Sequence, residues 1–583
     1  MSQEAPVDEF DYVVVGGGTA GAVVAARLSE DPAVTVCLLE AGPSDVGDEN
    51  VLRLDRWMGL LESGYDWDYP VEPQENGNSF LRHARAKVLG GCSSHNSCIA
   101  FWTPAEDLDE WAAMGCTGWS AADCFPLFQR LENNDGPGDH HGHDGPVVLR
   151  TVPPHDPCGV ALLEACAAAG IPTAAFNTGK TVIRGANWFQ INCRPDGTRS
   201  SASVSYLHPV MGTRKNLDVR TGLQARRLNF DSARHCTGVD YLAPDLIHTR
   251  TVHARRETVV SCGSIDSPKL LMLSGIGPAT HLRATGIEPI VDSPGVGSNL
   301  QDHPEGVIMW DAKQPMVRSS TQWWEIGIFA DTEPGLDRPD LMFHYGQVPF
   351  DMNTYRRGYP TSENAFCLTP NVTRARSLGT VRLRTRDFRD KPKVDPRYFT
   401  DEHDIRVMTH GLRLAREIVA QPAMADWAGT ELAPGPSAHS DAEAPRLHPH
   451  HPQHGLPPRL HGPNGRHRRP GHSARPPAAG QGRHGSAGRR RFGDAVPAGR
   501  ESVHHHDDDR GEVRGHDAER LTGHTKDLRG GLPSPALSGS GAWGSPSGLT
   551  TFQPLSPTFP LVLGESQNSL PRGQSGRTPS LAP

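Results

Sequence analysis

Residues 11–21 read Asp11-Tyr-Val-Val-Val15-Gly16-Gly-Gly18-Thr-Ala-Gly21, and the fold reading starts from them. The β-branched run is a short buried parallel strand. Gly16, Gly18 and Gly21 fit G-x-G-x-x-G, and the small residues from Ala22 to Leu28 read as a helix. Thr35-Val-Cys-Leu-Leu39 is a second strand, ending in Glu40. This is a βαβ unit whose turn sets a pyrophosphate on a helix N-terminus, and an acid 22 positions after Gly18 can accept ribose hydroxyls. Strand, helix, second strand and acid all fall in place, which a lone glycine motif would not guarantee. NAD and FAD are not separated by this unit, although its place at the N-terminus suits FAD-type folds.

Working outward, residues 85–102 read Arg-Ala-Lys-Val-Leu-Gly-Gly-Cys-Ser-Ser-His-Asn-Ser-Cys-Ile-Ala-Phe-Trp. Gly90 and Gly91 lack Cβ atoms, so backbone there can approach something large and flat. The alternative is a buried, hydrogen-bonded loop between domains. The aromatics around Trp57 and Tyr69 are core or pocket wall. Residues 104–133 read as helical. The loop at 134–146 carries three histidines, but its glycines favour a solvated loop over a metal site. Residues 195–207 read as a turn and then a helix start. Residues 258–277 read as strand, glycine turn and helix, with Ser264 and Asp266 as candidate caps and Gly275 as the stop. This strand returns to the first domain, so that domain is discontinuous. Alternating strands between 305 and 400, with Trp324, His344 and Phe350, point to a sheet-based second domain, and 401–424 to a helix.

The 583 residues leave room for two or more domains. A net charge of −9 gives no reason to expect nucleic acid or an anionic membrane as partner. No apolar run reaches the length of a membrane span, and Met1 to Phe10 lacks the features of a signal peptide. Eleven cysteines, none spaced C-x-x-C, point to reduced thiols in a cytoplasmic protein. All of them precede residue 370. From Ala444 the chain becomes rich in His, Pro, Arg and Gly with little apolar periodicity, a composition of disorder.

Together these pieces resemble the glucose–methanol–choline (GMC) oxidoreductase family of FAD enzymes. Both of its signatures are present, Arg85 to Trp102 and Gly263-Ser-Ile-Asp-Ser-Pro-Lys-Leu-Leu-Met-Leu-Ser-Gly-Ile-Gly-Pro278, and the likeness runs through residues 9–443. Ser320 to Phe329, Asp302-His-Pro-Glu305 and His95 are most similar to the family's choline-oxidising members. The resemblance implies an α/β fold with an α+β substrate domain. A Rossmann-like FAD-binding domain spans 9–155 and 216–304, and the substrate domain spans 156–215 and 305–424. It implies that Gly16, Gly18, Gly21, Glu40, Gly91, His95 and Asn96 hold FAD, with His95 covalently attached to the flavin. It assigns Ser97 and His344 to the alcohol oxygen, Glu305 to the trimethylammonium head, and Trp57, Trp324 and Phe350 to the aromatic surround. The implied reaction oxidises choline through betaine aldehyde to glycine betaine with O2 as acceptor, in an enzyme that resembles homodimers. The rivals are another family alcohol oxidase or dehydrogenase and a flavin-binding product without catalysis.

The family ends with a His-Pro strand and an Asn-Pro segment, and neither occurs here. Shifted one nucleotide downstream, the codons of residues 451–465 can encode Thr-His-Asn-Thr-Val-Tyr-His-Pro-Ala-Cys-Thr-Ala-Arg-Met-Gly. By the same shift residues 481–495 can encode Lys-Gly-Val-Thr-Gly-Leu-Arg-Val-Ala-Asp-Ala-Ser-Ala-Met-Pro, and Glu501 to His516 can encode Asn-Pro-Phe-Ile-Thr-Thr-Met-Met-Ile-Gly-Glu-Lys-Cys-Ala-Asp-Met. Three ordered matches with one shift imply a frameshift near Glu443, a tail at 444–583 read out of frame, and no metal site at His504–Asp509. They also imply that the literal chain is impaired.

Overall fold

A computed structural model describes residues 8–435 apart from 77–80, 137, 179–183, 244–246, 318–319 and 353. The tail from Ala444, with its expected disorder and shifted frame, lies outside the described residues.

The N-terminal unit forms as its sequence dictates. Strand β1 (Glu9–Val15) runs parallel to β2 (Val36–Leu39), with Val15 opposite Leu39. Between them α1 (Thr19–Leu28) buries Ala20, Gly21, Ala22, Ala25 and Ala26, small enough to let the helix close on the sheet. A Cβ on Gly21 would overlap the Gly16 carbonyl oxygen, so the third motif glycine sets the approach of helix to turn.

After helix α2 (Pro157–Ala168) and strand β3 (Gly185–Trp188), the chain returns to the first sheet through β4 (Leu217–Arg220), β5 (Ala225–Phe230), β6 (Cys236–Leu242) and β7 (Thr249–Val260), followed by α3 (Gly263–Leu273). The sheet order is β5-β6-β7-β1-β2-β4, with β1 parallel to both neighbours, so the expected return strand is present. Strand β7 serves two partners. Thr249–His253 pairs antiparallel with β6, and His253–Val260 pairs with β1. From Ala254 to Val260 the edge away from β1 has no paired strand among the described residues. Val259 and Val260 are only half-buried there, whereas Val13, Val14 and Val15 are at most 1% exposed, and the Thr258 hydroxyl is buried without a partner.

The second sheet is antiparallel throughout. Its later strands are β8 (Ile308–Ala312), β9 (Trp324–Ala330), β10 (Leu341–Gly346) and β11 (Ala365–Val372), then helix α4 (Glu402–Val419) and β12 (Ala428–Ala433). The order is β12-β8-β11-β10-β9-β3. Asp401 caps α4, and Val407, Leu412, Ala415 and Ile418 pack into one core with Leu341 and Phe343 of β10. Both sheets lie in one compact unit.

Three local expectations change. Ser264 and Asp266 do not cap α3: Cys262 precedes the helix without a side-chain cap, Asp266 accepts from the Tyr69 hydroxyl, and the Ser264 hydroxyl is buried without a partner. Residues 104–133 form two helices, Ala105–Ala113 and Ala121–Leu131, the second capped by Ser120. The 134–146 loop is not simply solvated, because His141 is buried with Nδ1 2.8 Å from Glu132 Oε1.

The 85–102 loop is seated on the glycine turn. The Gly90 amide donates to the Gly17 carbonyl (2.7 Å), and Gly91 has φ +56°. A Cβ at Gly91 would stand 2.6 Å from the Gly18 Cα. Gly91→Ala is therefore expected to cost about 1–3 kcal/mol and to lower the flavin content of the purified chain. Absorbance per polypeptide and thermal denaturation check this; an unchanged content and melting temperature would contradict it.

Candidate active site

Two neighbouring cavities organise the site. The first, of about 170 Å3, is lined by Gly16, Gly18, Glu40, Gly91 and Cys92. Glu40 ends β2 with both oxygens engaged: Oε2 accepts from the Gly17 amide (2.8 Å) and Oε1 from the Gly42 amide (2.7 Å). Burial pushes its carboxyl up to about 7, against those two hydrogen bonds. A side-chain-free cradle beside a buried acid at the end of a strand fits a dinucleotide, with the helix N-terminus toward the phosphates and Glu40 toward the ribose.

The 85–102 loop then passes between the cavities. The Asn96 carbonyl and the Cys98 sulfur both receive Nη1 of buried Arg199, whose Nε donates to the Val51 carbonyl (2.9 Å). Cys98 is held at φ +58°, a left-handed conformation unusual for a side chain with Cβ. Asn96 faces a third cavity, of about 230 Å3, with Thr19 and Ser93. His95 is 4% exposed and lines none of the three cavities; its Nε2 lies 3.3 Å from the Leu60 carbonyl and 3.9 Å from Asp66 Oδ2. Burial holds its pKa below the usual histidine range, and Asp66 only partly offsets that.

The second cavity, of about 460 Å3, collects Trp57, Ser97, Glu305, Trp324, His344 and Phe350 from five separate stretches of chain. The rings of Trp57 and Trp324 meet edge to face at 5.6 Å, and those of Trp324 and Phe350 at 5.2 Å. The Trp57 indole donates to the Gln322 carbonyl (2.7 Å), which locks its ring plane. Behind Trp324, buried Glu325 accepts from the Ser320 hydroxyl (2.6 Å), the Thr321 amide (3.0 Å) and the Gln347 amide group (2.8 Å). Glu305 and His344 face each other, Oε1 to Nδ1 at 3.5 Å. Such an arrangement offers aromatic faces and one carboxylate to a cation, with an imidazole alongside for an oxygen.

Sequence reasoning missed several residues in or beside this cavity. Thr369 and Asn371 lie two apart on β11, on the face that carries His344. Asp302, His83 and Tyr398 form another group, with the Tyr398 hydroxyl 2.5 Å from Asp302 Oδ2 and His83 Nδ1 3.7 Å from it. Asp302 was signalled by the Asp302-His-Pro-Glu305 segment and His83 by its place just ahead of the Arg85–Trp102 signature; Tyr398 gave no signal.

The GMC oxidoreductase family matches this chain over residues 10–305 with its N-terminal model and 375–451 with its C-terminal model. The chain belongs to the GMC oxidoreductase family. It is thus an FAD-dependent oxidoreductase acting on CH–OH groups. It is 69% identical over 441 residues to choline oxidase of Arthrobacter globiformis, covering 75% of this chain and 81% of that enzyme. It is 35% identical over 468 residues to human mitochondrial choline dehydrogenase, covering 75% and 77% of the two chains. Among solved structures, pyridoxine 4-oxidase from Mesorbium loti superposes with a TM-score of 0.69 at 30% identity, covering 76% of this chain and 86% of that one. Among the described residues no helix is long and apolar enough to cross a membrane.

Burial, with Arg85 nearby, lowers the His83 pKa to about 4, and the Asp302 carboxylate only partly opposes it. Between that value and the ordinary 6.5 the unfolded chain binds the proton that the folded chain excludes, so stability falls as pH drops through this window. The loss amounts to up to about 3 kcal/mol. Urea denaturation between pH 7 and 4 should show a shallower decline in His83→Gln than in the parent; parallel declines would contradict the assignment.

Proposed function

We propose that the chain derives from a choline-oxidising enzyme that carries the alcohol through betaine aldehyde to glycine betaine with O2 as acceptor. The observation that carries the reading is the second cavity, where Trp57, Trp324 and Phe350 join Glu305. A quaternary ammonium donates no strong hydrogen bond, so its recognition rests on aromatic faces and an anion. Each face contributes about 0.5–2 kcal/mol, more as water is excluded. Glu305 sets the cation end of the substrate and thereby directs the hydroxyl end toward His344 and Ser97. His344 would stabilise the oxygen as its proton leaves, and the Ser97 hydroxyl would share that task. When bound, FAD supplies the acceptor for the hydride from the alcohol carbon. His95 would hold it covalently, and Asn96, Gly91 and Glu40 would fix its position. All eleven cysteines are free, which supports a reducing, cytoplasmic setting; a homodimer belongs to the same reading.

Glu305→Gln tests the substrate assignment, because it keeps shape and removes charge. The KM for choline should rise roughly ten- to hundredfold, while a neutral primary alcohol changes little. An equal effect on both would favour a different alcohol.

We further propose that the segment beyond Glu443 is translated out of frame, so that the literal chain is impaired. The match to choline oxidase covers 81% of that enzyme and 75% of this chain, and the C-terminal family model ends at residue 451. Among the described residues the edge of β7 at Ala254–Val260 has no paired strand, which supports the same reading, since one of the shifted segments can encode a strand of small and β-branched residues. The gene's nucleotide sequence checks it. The frame one nucleotide downstream should run open through codon 516 and encode the His-Pro and Asn-Pro segments; a stop codon in that frame before codon 501 would overturn it.

A further inference from the structure

Asn371 is 7% exposed, and its Nδ2 has three neighbours. They are the Thr369 carbonyl at 2.9 Å, His344 Nδ1 at 3.2 Å and Glu305 Oε1 at 3.4 Å. Two of these, a carbonyl and a carboxylate, can only accept. The atom facing them is therefore the NH2 group and not the amide oxygen. One amide proton goes to the Thr369 carbonyl, which leaves the other between His344 and Glu305.

We propose that Asn371 is a positioning residue that fixes the tautomer of His344, making Nδ1 the acceptor and placing the ring proton on Nε2. This rests on the reading above that His344 serves the substrate oxygen, and it names what prepares the ring for that role. A proton on Nδ1 would meet the Asn371 N–H head-on at 3.2 Å. The competing arrangement, Nδ1–H donating to Glu305, uses the longer contact of 3.5 Å and a carboxylate that the substrate cation claims. Thr369 Oγ1 lies 3.4 Å from the same nitrogen, and a hydroxyl can turn its proton toward it. Strand register makes this fixed: His344 on β10 pairs with Thr369, and the Glu305 backbone bridges Asn371, so three elements hold the four groups together. The ring is further confined by Phe189, whose centroid is 5.9 Å away. With Nδ1 committed, Nε2–H is the donor left for an oxygen that gains negative charge as its proton departs.

The test reads the tautomer directly by 15N NMR of the 583-residue chain labelled at histidine, without choline. The His344 signals are identified as those lost in His344→Gln. In the parent, the protonated nitrogen should be Nε2. Asn371→Asp is isosteric but presents an acceptor, and should move the proton to Nδ1. Thr369→Val leaves the amide in place and should keep it on Nε2. A parent ring protonated at Nδ1, or a proton that stays on Nε2 in Asn371→Asp, would overturn the proposal. Because no substrate is present, a chain that showed the expected switch and yet failed to bind choline would sink the substrate reading alone.

Discussion

The close approach of Gly18 and Gly91 is the constraint on which the site depends. It joins the turn after β1 to the loop that carries His95, Asn96 and Ser97, and no residue with a Cβ fits at Gly91. The contact places the loop within reach of the dinucleotide cradle and ties one wall of the second cavity to the first sheet. Arg199 secures the far side of that loop through Val51, Asn96 and Cys98, a buried cation spent largely on backbone carbonyls. The left-handed Cys98 is the local cost of aiming the loop.

The rest of the site follows from strand register. In an antiparallel sheet, residues facing each other share a side, and a slip of one residue would send His344 and Asn371 to opposite faces. Strands β10 and β11 fix that register over six pairs, buried on the α4 side by a continuous apolar core. The cage is rigid for a similar reason. Trp57 is held by the Gln322 carbonyl, and the turn that supplies Gln322 is held by Glu325. On the proposed reading, cation recognition would rest on groups with little freedom to lose on binding.

The sequence made the βαβ unit plain, because its strand, turn, helix and acid are contiguous and each obeys a local rule. Glu40 and the three motif glycines could be named for the same reason. The cavity residues Trp57, Ser97, Glu305, Trp324, His344 and Phe350 were reachable only through family resemblance, since nothing in their spacing says that they meet. Asn371 and Tyr398 escaped even that, because their roles arise from pairing between distant strands. The capping expectation for α3 failed because Asp266 found a stronger partner in Tyr69, 197 residues away. His141 looked exposed among glycines, but a buried carboxylate, Glu132, supplied a partner that no local pattern announces.

The central claim is that Glu305 and three aromatic faces recognise a cation beside the flavin. Its most direct test is an anaerobic titration of the FAD-loaded chain, followed by the flavin absorption spectrum. Choline is compared with 3,3-dimethylbutan-1-ol, which has the same shape without the charge. The account predicts a saturable spectral change with choline at a concentration at least tenfold below that needed for the neutral isostere. Equal response to the two, or none to choline, would contradict it.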